Sequence, residues 1–245
     1  MANNEISGPA IALFISIWLK KIKNRKFSYR FVFSSETIGT IAYIHKRYNL
    51  LKKNVIGGYV LTCLGDNKCF SYLKTKNSNS ISDKIALKIF KDIKSKKKIY
   101  EWIDRGSDER QYNSQNIELN IGSIMRTKYG NYKEYHTDQD KFGKLVTEKN
   151  LNDSLKLLKK IITKFEKEKI PTTSISCEPF LTKKNLYGTV SKKDIKFENQ
   201  DAILNFISYC NGNFTIEEIA KKIKLNYSKT LSIGNLLKKN KLVFF

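Results

Sequence analysis

Segments with two different patterns of hydrophobic residues alternate along most of this chain. Short runs that are apolar almost throughout predict strands buried on both faces; they lie at 29–33 (YRFVF), within VIGGYVLTCLG and within SIMRTKY. Apolar residues spaced three to four positions apart predict helices at 7–23, at 38–49, in DKIALKIFKDIK and at 151–165. We take Asn152 or Asp153 as the cap of the last helix. Strands that alternate with helices predict an α/β fold with a mostly parallel sheet and flanking helices on both faces.

The pattern changes after the loop CEPFLTKKNLYGTVSKK. Three short helical patterns follow, and the second begins with a capping box of Thr215 and Glu218. The final KLVFF has the composition of a wing strand. We therefore expect an α/β domain over 1–180 and a small winged-helix domain over 197–245, with the boundary between Pro179 and Phe197.

The composition bears on partners and on location. The chain carries 46 Lys+Arg against 23 Asp+Glu, a formal net charge of +23, which raises nucleic acid as a partner. Only six of these residues are arginines, and helix 227–239 has few base-reading side chains, so we favour a docking role for the winged helix over nucleic-acid binding. A nucleic-acid-binding regulator is the alternative function.

The remaining signals point to the cytoplasm and away from a membrane. The four cysteines lack Cys-x2-Cys spacing and read as reduced thiols. The apolar run at 9–19 is too short to span a bilayer, and its lysines follow it, which is the wrong order for a secretory signal.

Two polar residues are candidates for chemistry. Glu36 follows the predicted strand 29–33, where open α/β sheets place their ligands; it can bind a metal or accept a proton, or it can be a helix N-terminal charge. His136, in NYKEYHTDQDKF, is either a metal ligand or a surface histidine in a loop. The other histidine, His45, reads as an ordinary surface residue of a helix.

Four segments come in the order found in zinc aminopeptidases: NNEISGPAIALF, YRFVFSSETIGTIAYI, RGSDERQYN and EYHTDQD. In that family an Asp-x-x-Ser-Gly turn opens a helix, a Glu ends the next strand, a Gly-Ser-Asp loop lines the substrate pocket, and a Tyr-His-Thr-x-x-Asp segment supplies a histidine ligand. With YVLTCLGD, MRTKYGNYKEYHT and the winged helix, nearly the whole chain resembles the bacterial aminopeptidase-like proteins encoded in surface-polysaccharide loci.

The resemblance implies roles for particular residues. His136 matches the zinc-binding histidine, Glu36 the catalytic or metal-facing carboxylate, and Asn4 the position of a zinc-binding aspartate. The implied activity is metal-dependent hydrolysis of a small peptide-like or amide-bearing substrate. The substrate pocket would be lined by Asp108, Arg110 and Tyr112, of which Asp108 and Arg110 can equally form a salt bridge within their loop.

The chain also departs from the family pattern. Asn4 is a neutral amide where the family has a carboxylate, and Thr62 stands where two-metal enzymes keep an aspartate. The family's metal-binding histidine on an earlier strand would precede Met1. We therefore expect weak zinc or none, a partial or degenerate hydrolase, and dependence of any activity on a segment encoded upstream.

Overall fold

The computed structural model describes residues 1–181, 186 and 198–245. Its contacts divide into two compact units, Met1–Lys167 and Glu168–Phe245. The expected boundary between Pro179 and Phe197 lies for the most part outside the described residues, and it stays a prediction. Within the described ranges, no helix combines the length and the apolar character that crossing a membrane requires.

The first unit is an α/β domain, as the alternation of predicted strands and helices along the sequence indicates. Its chain begins with a π-helical turn, Ala2–Ile6, which leads directly into the first α-helix. The α-helices are α1 (Ser7–Lys20), α2 (Ile38–Asn54), α3 (Ile81–Lys91), α4 (Glu109–Tyr112) and α5 (Glu148–Lys167), and the strands are β1 (Gly58–Leu61), β2 (Phe70–Leu73), β3 (Lys97–Tyr100) and β4 (Ile121–Met125).

The four strands form one mostly parallel sheet in the order β1-β4-β2-β3. β1 pairs in parallel with β4, and β2 pairs in parallel with β3. The pairing of β2 with β4 is antiparallel and joins the two halves. Helices α1, α3 and α5 pack together over one face, whereas α2 packs with α4 over the other, so the sheet is covered on both sides.

One predicted strand is wrong, and two strands were missed. Residues 29–33 form no strand, and Val32 and Phe33 are exposed rather than buried. Strands β2 and β3 have four residues each, and β3 begins with two exposed lysines, so neither shows a clear hydrophobic signal. Helix α5 begins at Glu148, earlier than a cap at Asn152 or Asp153 would place it.

Helix α1 lies unusually close to β1. Its buried side chains Ile11, Ile15 and Leu19 face β1 and α5. A Cβ atom added at Gly8 would collide with the backbone carbonyl of Leu61, so only glycine lets the first turn of α1 rest against the end of β1.

Within its described residues, the second unit has the α-helices α6 (Glu198–Ser208), α7 (Ile216–Lys222) and α8 (Tyr227–Lys239). The predicted capping box at the start of α7 is confirmed, since Thr215 and Glu218 bond reciprocally. Near the end of the chain, Thr172 bridges Asn211 and Phe244 in antiparallel fashion. The core of this unit includes Ile203, Phe206, Ile219, Leu237 and Val243.

Replacing Gly8 with alanine should destabilise the protein. In an open helix the same change stabilises by about 1 kcal/mol, because glycine is a poor helix former. Here the new methyl group must push α1 away from β1, and we expect a net loss of about 1–3 kcal/mol in the free energy of unfolding. Urea unfolding of Gly8→Ala measures it, with Ser16→Ala in the same helix as a control expected within about 0.5 kcal/mol of the unmodified chain. A stabilised Gly8→Ala variant would contradict this packing.

Candidate functional site

The N-terminal turn is held by the carboxyl group and backbone of Asp140. The Asn3 amide N–H donates to Asp140 Oδ1 at 2.6 Å, and the Asn4 N–H donates to Oδ2 at 3.1 Å. The Ala2 N–H donates to the backbone carbonyl of Asp140 at 3.0 Å. Asp140 is only 4% exposed, so the two bonds to its carboxylate are charge-assisted bonds to a buried group. They fix the turn that carries Asn4 beside the loop that carries His136.

A second set of bonds ties the same turn to the ends of two strands. Asn3 Oδ1 accepts from the Gly65 N–H at 2.7 Å, and Asn3 Nδ2 lies 3.4 Å from Asp66 Oδ2. Asp66 in turn accepts from the Thr127 N–H and hydroxyl at 2.9 and 2.7 Å. Gly65 and Asp66 follow β1 and Thr127 follows β4, so the turn sits where these two parallel strands end.

Asn4 and His136 meet in this arrangement. Asn4 Nδ2 lies 3.4 Å from His136 Nε2 and donates to Glu5 Oε1 at 2.6 Å. The Asn4 Oδ1 atom faces the thiol of Cys63 at 3.6 Å. The His136 ring stacks on Tyr135, with ring centres 3.9 Å apart. Asn4 and His136, two of the candidates named from the sequence, therefore lie side by side near the carboxyl ends of β1 and β4.

The floor beneath Asn4 is built from neutral groups. Thr62 Oγ1 donates to the Asn4 carbonyl at 3.0 Å, and the Cys63 thiol lies 3.6 Å from the hydroxyl of Tyr132. Burial raises the pKa of Cys63 to about 11, so the thiol stays protonated near neutral pH.

Glu36 is held by the loop that follows β3. Ser107 Oγ donates to Glu36 Oε1 at 2.7 Å. The Thr37 N–H donates to Asp108 Oδ1 at 2.8 Å, and Arg110 Nη2 donates to Thr37 Oγ1 at 3.1 Å. Asp108 and Arg110, expected to line a substrate pocket, thus position the turn next to Glu36.

Tyr135, which stacks on His136, lies within the electrostatic influence of two carboxylates. Burial raises the pKa of Tyr135, and the negative charges of Glu36 and Glu5 raise it further. Both carboxylates therefore act on the ring that stacks against His136. The side chains of Glu5, Glu36 and His136 are exposed, and we call the surface formed by Asn4, Glu5, Tyr135 and His136 the Asn4–His136 crevice.

Tyr112 occupies a different place from the one expected of a pocket residue. It packs against the apolar cluster of Ile44, Leu51 and Leu119 beneath α2. Burial raises its pKa to about 12, and a hydrogen bond with Thr40 acts in the opposite direction. These contacts give Tyr112 a structural role.

His45 also lies apart from the crevice. It borders an open surface cavity of about 750 Å³ formed by α2 together with Asn116 and Ile117. Neither Asn4, Glu36 nor His136 lines that cavity, so His45 keeps its interpretation as a surface helix residue.

Glu109 is a central residue that the sequence interpretation missed. Its side chain is fully buried and accepts four hydrogen bonds, all within 3.0 Å. The donors are the backbone N–H groups of Gly106 and Ser107 and the hydroxyls of Ser123 and Tyr129. Burial, reinforced by the Glu109 charge, raises the pKa of Tyr129. Glu109 was overlooked because its neighbours Asp108 and Arg110 matched the family motif, and a carboxylate in a charged loop gives no signal of burial.

Comparisons with known proteins classify the two parts of the chain separately. The first 168 residues match the model of a family described as a domain of unknown function, DUF4910, and the chain belongs to that family. Residues 169–244 match a winged helix-turn-helix family. The winged helix expected from the sequence is therefore confirmed.

Named relatives agree with this classification. A Clostridium acetobutylicum protein named as a polysaccharide biosynthesis protein with aminopeptidase-like domain is 33% identical over 231 residues, which cover 94% of this chain and 52% of that protein. A crystal structure of a protein titled as a peptidase from the same organism is 31% identical, with a TM-score of 0.67, over 100% of this chain and 54% of the other. This chain spans about half the length of these relatives.

A more distant likeness supports the fold alone. The zinc aminopeptidase BSAP from Bacillus subtilis superposes with a TM-score of 0.56 at 15% identity. The matched part covers 67% of this chain and 42% of that enzyme.

The residues around His136 do not fit a catalytic zinc site. Such a site takes about three protein ligands from histidine, cysteine and carboxylate side chains, plus water. Within the described ranges, no three His, Cys, Asp or Glu side chains are grouped to hold a metal ion. The nearest partners of His136 are a carboxamide and an aromatic ring, and the Cys63 thiol is neutral. The carboxylate of Asp140 is occupied by backbone N–H groups.

Replacing Glu109 with glutamine should loosen the loop that holds Glu36. The amide nitrogen of glutamine would face N–H or O–H donors that now bond to a carboxylate, so we expect a loss of about 2 kcal/mol in the free energy of unfolding. Amide exchange at Gly106 and Ser107 should also accelerate. Glu118→Gln, at an exposed position, is the control, and equal effects of the two changes would refute the role given to Glu109.

Proposed function

We propose that the aminopeptidase-like domain of this chain binds a small amide-bearing compound in a cytoplasmic step of surface-polysaccharide biosynthesis, and that it does not hold a catalytic zinc by itself. The link to polysaccharides rests on the name of the C. acetobutylicum relative. The four cysteines of the chain are free, which supports a reducing compartment.

One observation carries the binding role: the pairing of Asn4 with His136 at the end of the sheet. Carboxamide and imidazole groups can donate and accept hydrogen bonds, which suits an amide group of a ligand. The face of Tyr135 beside them offers an apolar surface. The carboxylates of Glu5 and Glu36 would favour a ligand that also carries an ammonium group. An aminoacyl amide has all of these features.

The chain's own residues give the crevice its shape without a metal. Asp140 fixes the position of Asn4 by a hydrogen bond to its backbone N–H, and the loop at 106–110 holds Glu36 in place. In a metal-loaded relative of this fold, a zinc ion would polarise the carbonyl of the substrate. In this chain, Asn4 and Glu36 would instead bind and orient a ligand directly.

The unmodified chain should bind zinc weakly and should not hydrolyse leucine p-nitroanilide. Restoring a carboxylate with Asn4→Asp should strengthen zinc binding by about tenfold or more, because an anionic oxygen replaces a carboxamide beside His136. Calorimetry measures the zinc affinity, and absorbance of released nitroaniline measures turnover. Stoichiometric zinc with turnover in the unmodified chain would contradict the proposal.

Binding of the amide itself needs a separate measurement. Leucine p-nitroanilide should perturb the NMR signals of Asn4 and Tyr135, and His136→Ala should weaken its binding by about tenfold. His45→Ala is the matched control, since it removes the other histidine at a site away from the crevice. If the two variants bind leucine p-nitroanilide equally well, the crevice is not its binding site.

A second candidate function, DNA binding by the winged helix, gains support from the exposed face of α8. Leu237 is buried, and Leu231 and Ile233 pack against the core, so these residues do not occupy the outward surface. Lys229 and Asn235 are exposed on α8 and could contact phosphate and a base edge.

For this second function, DNA affinity should fall steeply between about 50 and 200 mM salt, and Lys229→Ala should lower the affinity by removing a phosphate contact. Lys149→Ala, on α5 of the first unit, is the control for loss of one positive charge. A flat salt response, or the same loss of affinity in the control, would reject DNA binding.

A further inference from the structure

The chain that precedes α2 runs beside the first turns of this helix. Arg30 donates to the hydroxyl of Tyr43 at 3.2 Å. Ser34 Oγ lies 3.5 Å from Thr40 Oγ1, and a Cβ atom added at Gly39 would lie 2.8 Å from the Cβ of Ser34. The earlier residue thus contacts the second turn of α2 and the later residue contacts the first turn. The chain between them therefore passes along the start of the helix.

Four large apolar side chains are exposed to solvent where these two stretches lie together: Val32, Phe33, Ile38 and Ile41. Ile38 keeps 78% of its surface exposed, so it projects from the domain and does not line a groove. We call these four residues the apolar tip. Exposed apolar side chains that lie together, as these do, mark an interaction site more often than scattered ones.

Basic side chains continue the outward surface of α2 beyond the apolar tip. His45, Lys46 and Lys53 follow Ile41 at helical spacing and are exposed, and Arg47 is exposed beside them. We call His45, Lys46, Arg47 and Lys53 the basic face of α2. Among the described residues, no carboxylate forms an ion pair with Lys46, Arg47 or Lys53. His45, Lys46 and Arg47 also border the open surface cavity beside α2, so their side chains are accessible to a ligand.

The sequence around this surface is one-sided in charge. Between Glu5 and Asp66 the only acidic residue is Glu36, whereas the same stretch contains ten lysines and arginines. The carboxylate of Glu36 accepts a hydrogen bond from the hydroxyl of Ser107. A partner that covers the apolar tip therefore also meets an excess of positive charge, which favours an anionic partner.

We propose that the apolar tip and the basic face of α2 bind the surface of an anionic lipid bilayer. Apolar side chains that project from a fold can enter the boundary between headgroups and acyl chains, and lysines and arginines beside them attract anionic headgroups. Nucleic acid would pair with the cations but would leave the apolar tip in water. A protein partner would need both a pocket for a projecting tip and an acidic rim, whereas a bilayer meets both requirements anywhere on its surface.

Surface binding is compatible with a chain that has no recognised spanning segment. The expectation of no membrane partner rested on the apolar run at 9–19, which is too short to cross a bilayer. The apolar tip would enter only the outer part of the bilayer, which requires no such run. Because Phe33 and Ile38 flank Glu36 in the chain, the contact would hold the turn that carries Glu36 at the lipid surface.

The apolar tip is tested by sedimentation of the full chain with vesicles. The unmodified chain should bind vesicles of phosphatidylcholine and phosphatidylserine at least tenfold more tightly than vesicles of phosphatidylcholine alone. Phe33→Ser/Ile38→Ser should lower the affinity for the anionic vesicles at least tenfold, because it removes two inserted side chains without changing the net charge. Phe180→Ser/Phe244→Ser removes two other exposed apolar side chains and should leave the affinity unchanged.

The basic face needs its own pair of variants. Lys46→Gln/Arg47→Gln should lower the affinity for the anionic vesicles at least tenfold, since each cation near an anionic surface contributes about fivefold. Lys94→Gln/Lys96→Gln, in the exposed loop after α3, removes the same charge elsewhere and should have a much smaller effect. Hydrogen exchange of residues 32–41 should slow when anionic vesicles are added.

Other results would overturn the inference. Equal binding to the two kinds of vesicle, or equal losses within each pair of variants, would mean that only diffuse charge attracts the chain to lipid. Duplex DNA bound through Lys46 and Arg47, without binding to vesicles, would make nucleic acid the occupant. Dimers that dissociate in Phe33→Ser/Ile38→Ser would make a second copy the occupant. Absence of vesicle binding by the unmodified chain rejects the membrane surface outright. Circular dichroism verifies that each variant is folded.

Discussion

The carboxyl group of Asp140 is the constraint on which the candidate site depends. It accepts the backbone N–H groups of Asn3 and Asn4 and thereby joins the start of the chain to a loop far along the sequence. Without that bond, two buried N–H groups and one buried charge would lose their partners together. The position of α1 follows from the same bond, since the turn held by Asp140 continues into α1 and brings Gly8 against the end of β1.

A second buried carboxylate, Glu109, does for the Glu36 turn what Asp140 does for Asn4. In both cases a buried carboxylate accepts bonds from backbone N–H groups, which organises a neighbouring segment that has no regular structure of its own. The turn that carries Asn4 and the loop that holds Glu36 are therefore each fixed by a buried carboxylate. The centre of the crevice, in contrast, consists of a carboxamide, an imidazole and an aromatic ring. Such a centre can recognise a ligand by hydrogen bonds, but it does not supply the anionic ligands of a hydrolytic metal site.

The end of β1 supports the candidate site from below. Thr62 and Cys63 directly follow β1, and both contact Asn4. The residues that follow a strand of the sheet therefore position the side chains of the site.

The sequence by itself determined the parts of the protein whose signals are local. Helices α1, α2 and α3 and the capping box at Thr215 follow from side-chain periodicity and from contacts within a few residues, and the order of short motifs indicated the family. Tertiary structure decided the rest. Residues 29–33 have the composition of a strand but lack a ladder, because a strand exists only where a distant segment lies beside it. The roles of Asp140 and Glu109 were likewise hidden, because a carboxylate becomes an organising acceptor only when folding brings donors to it and removes water from around it.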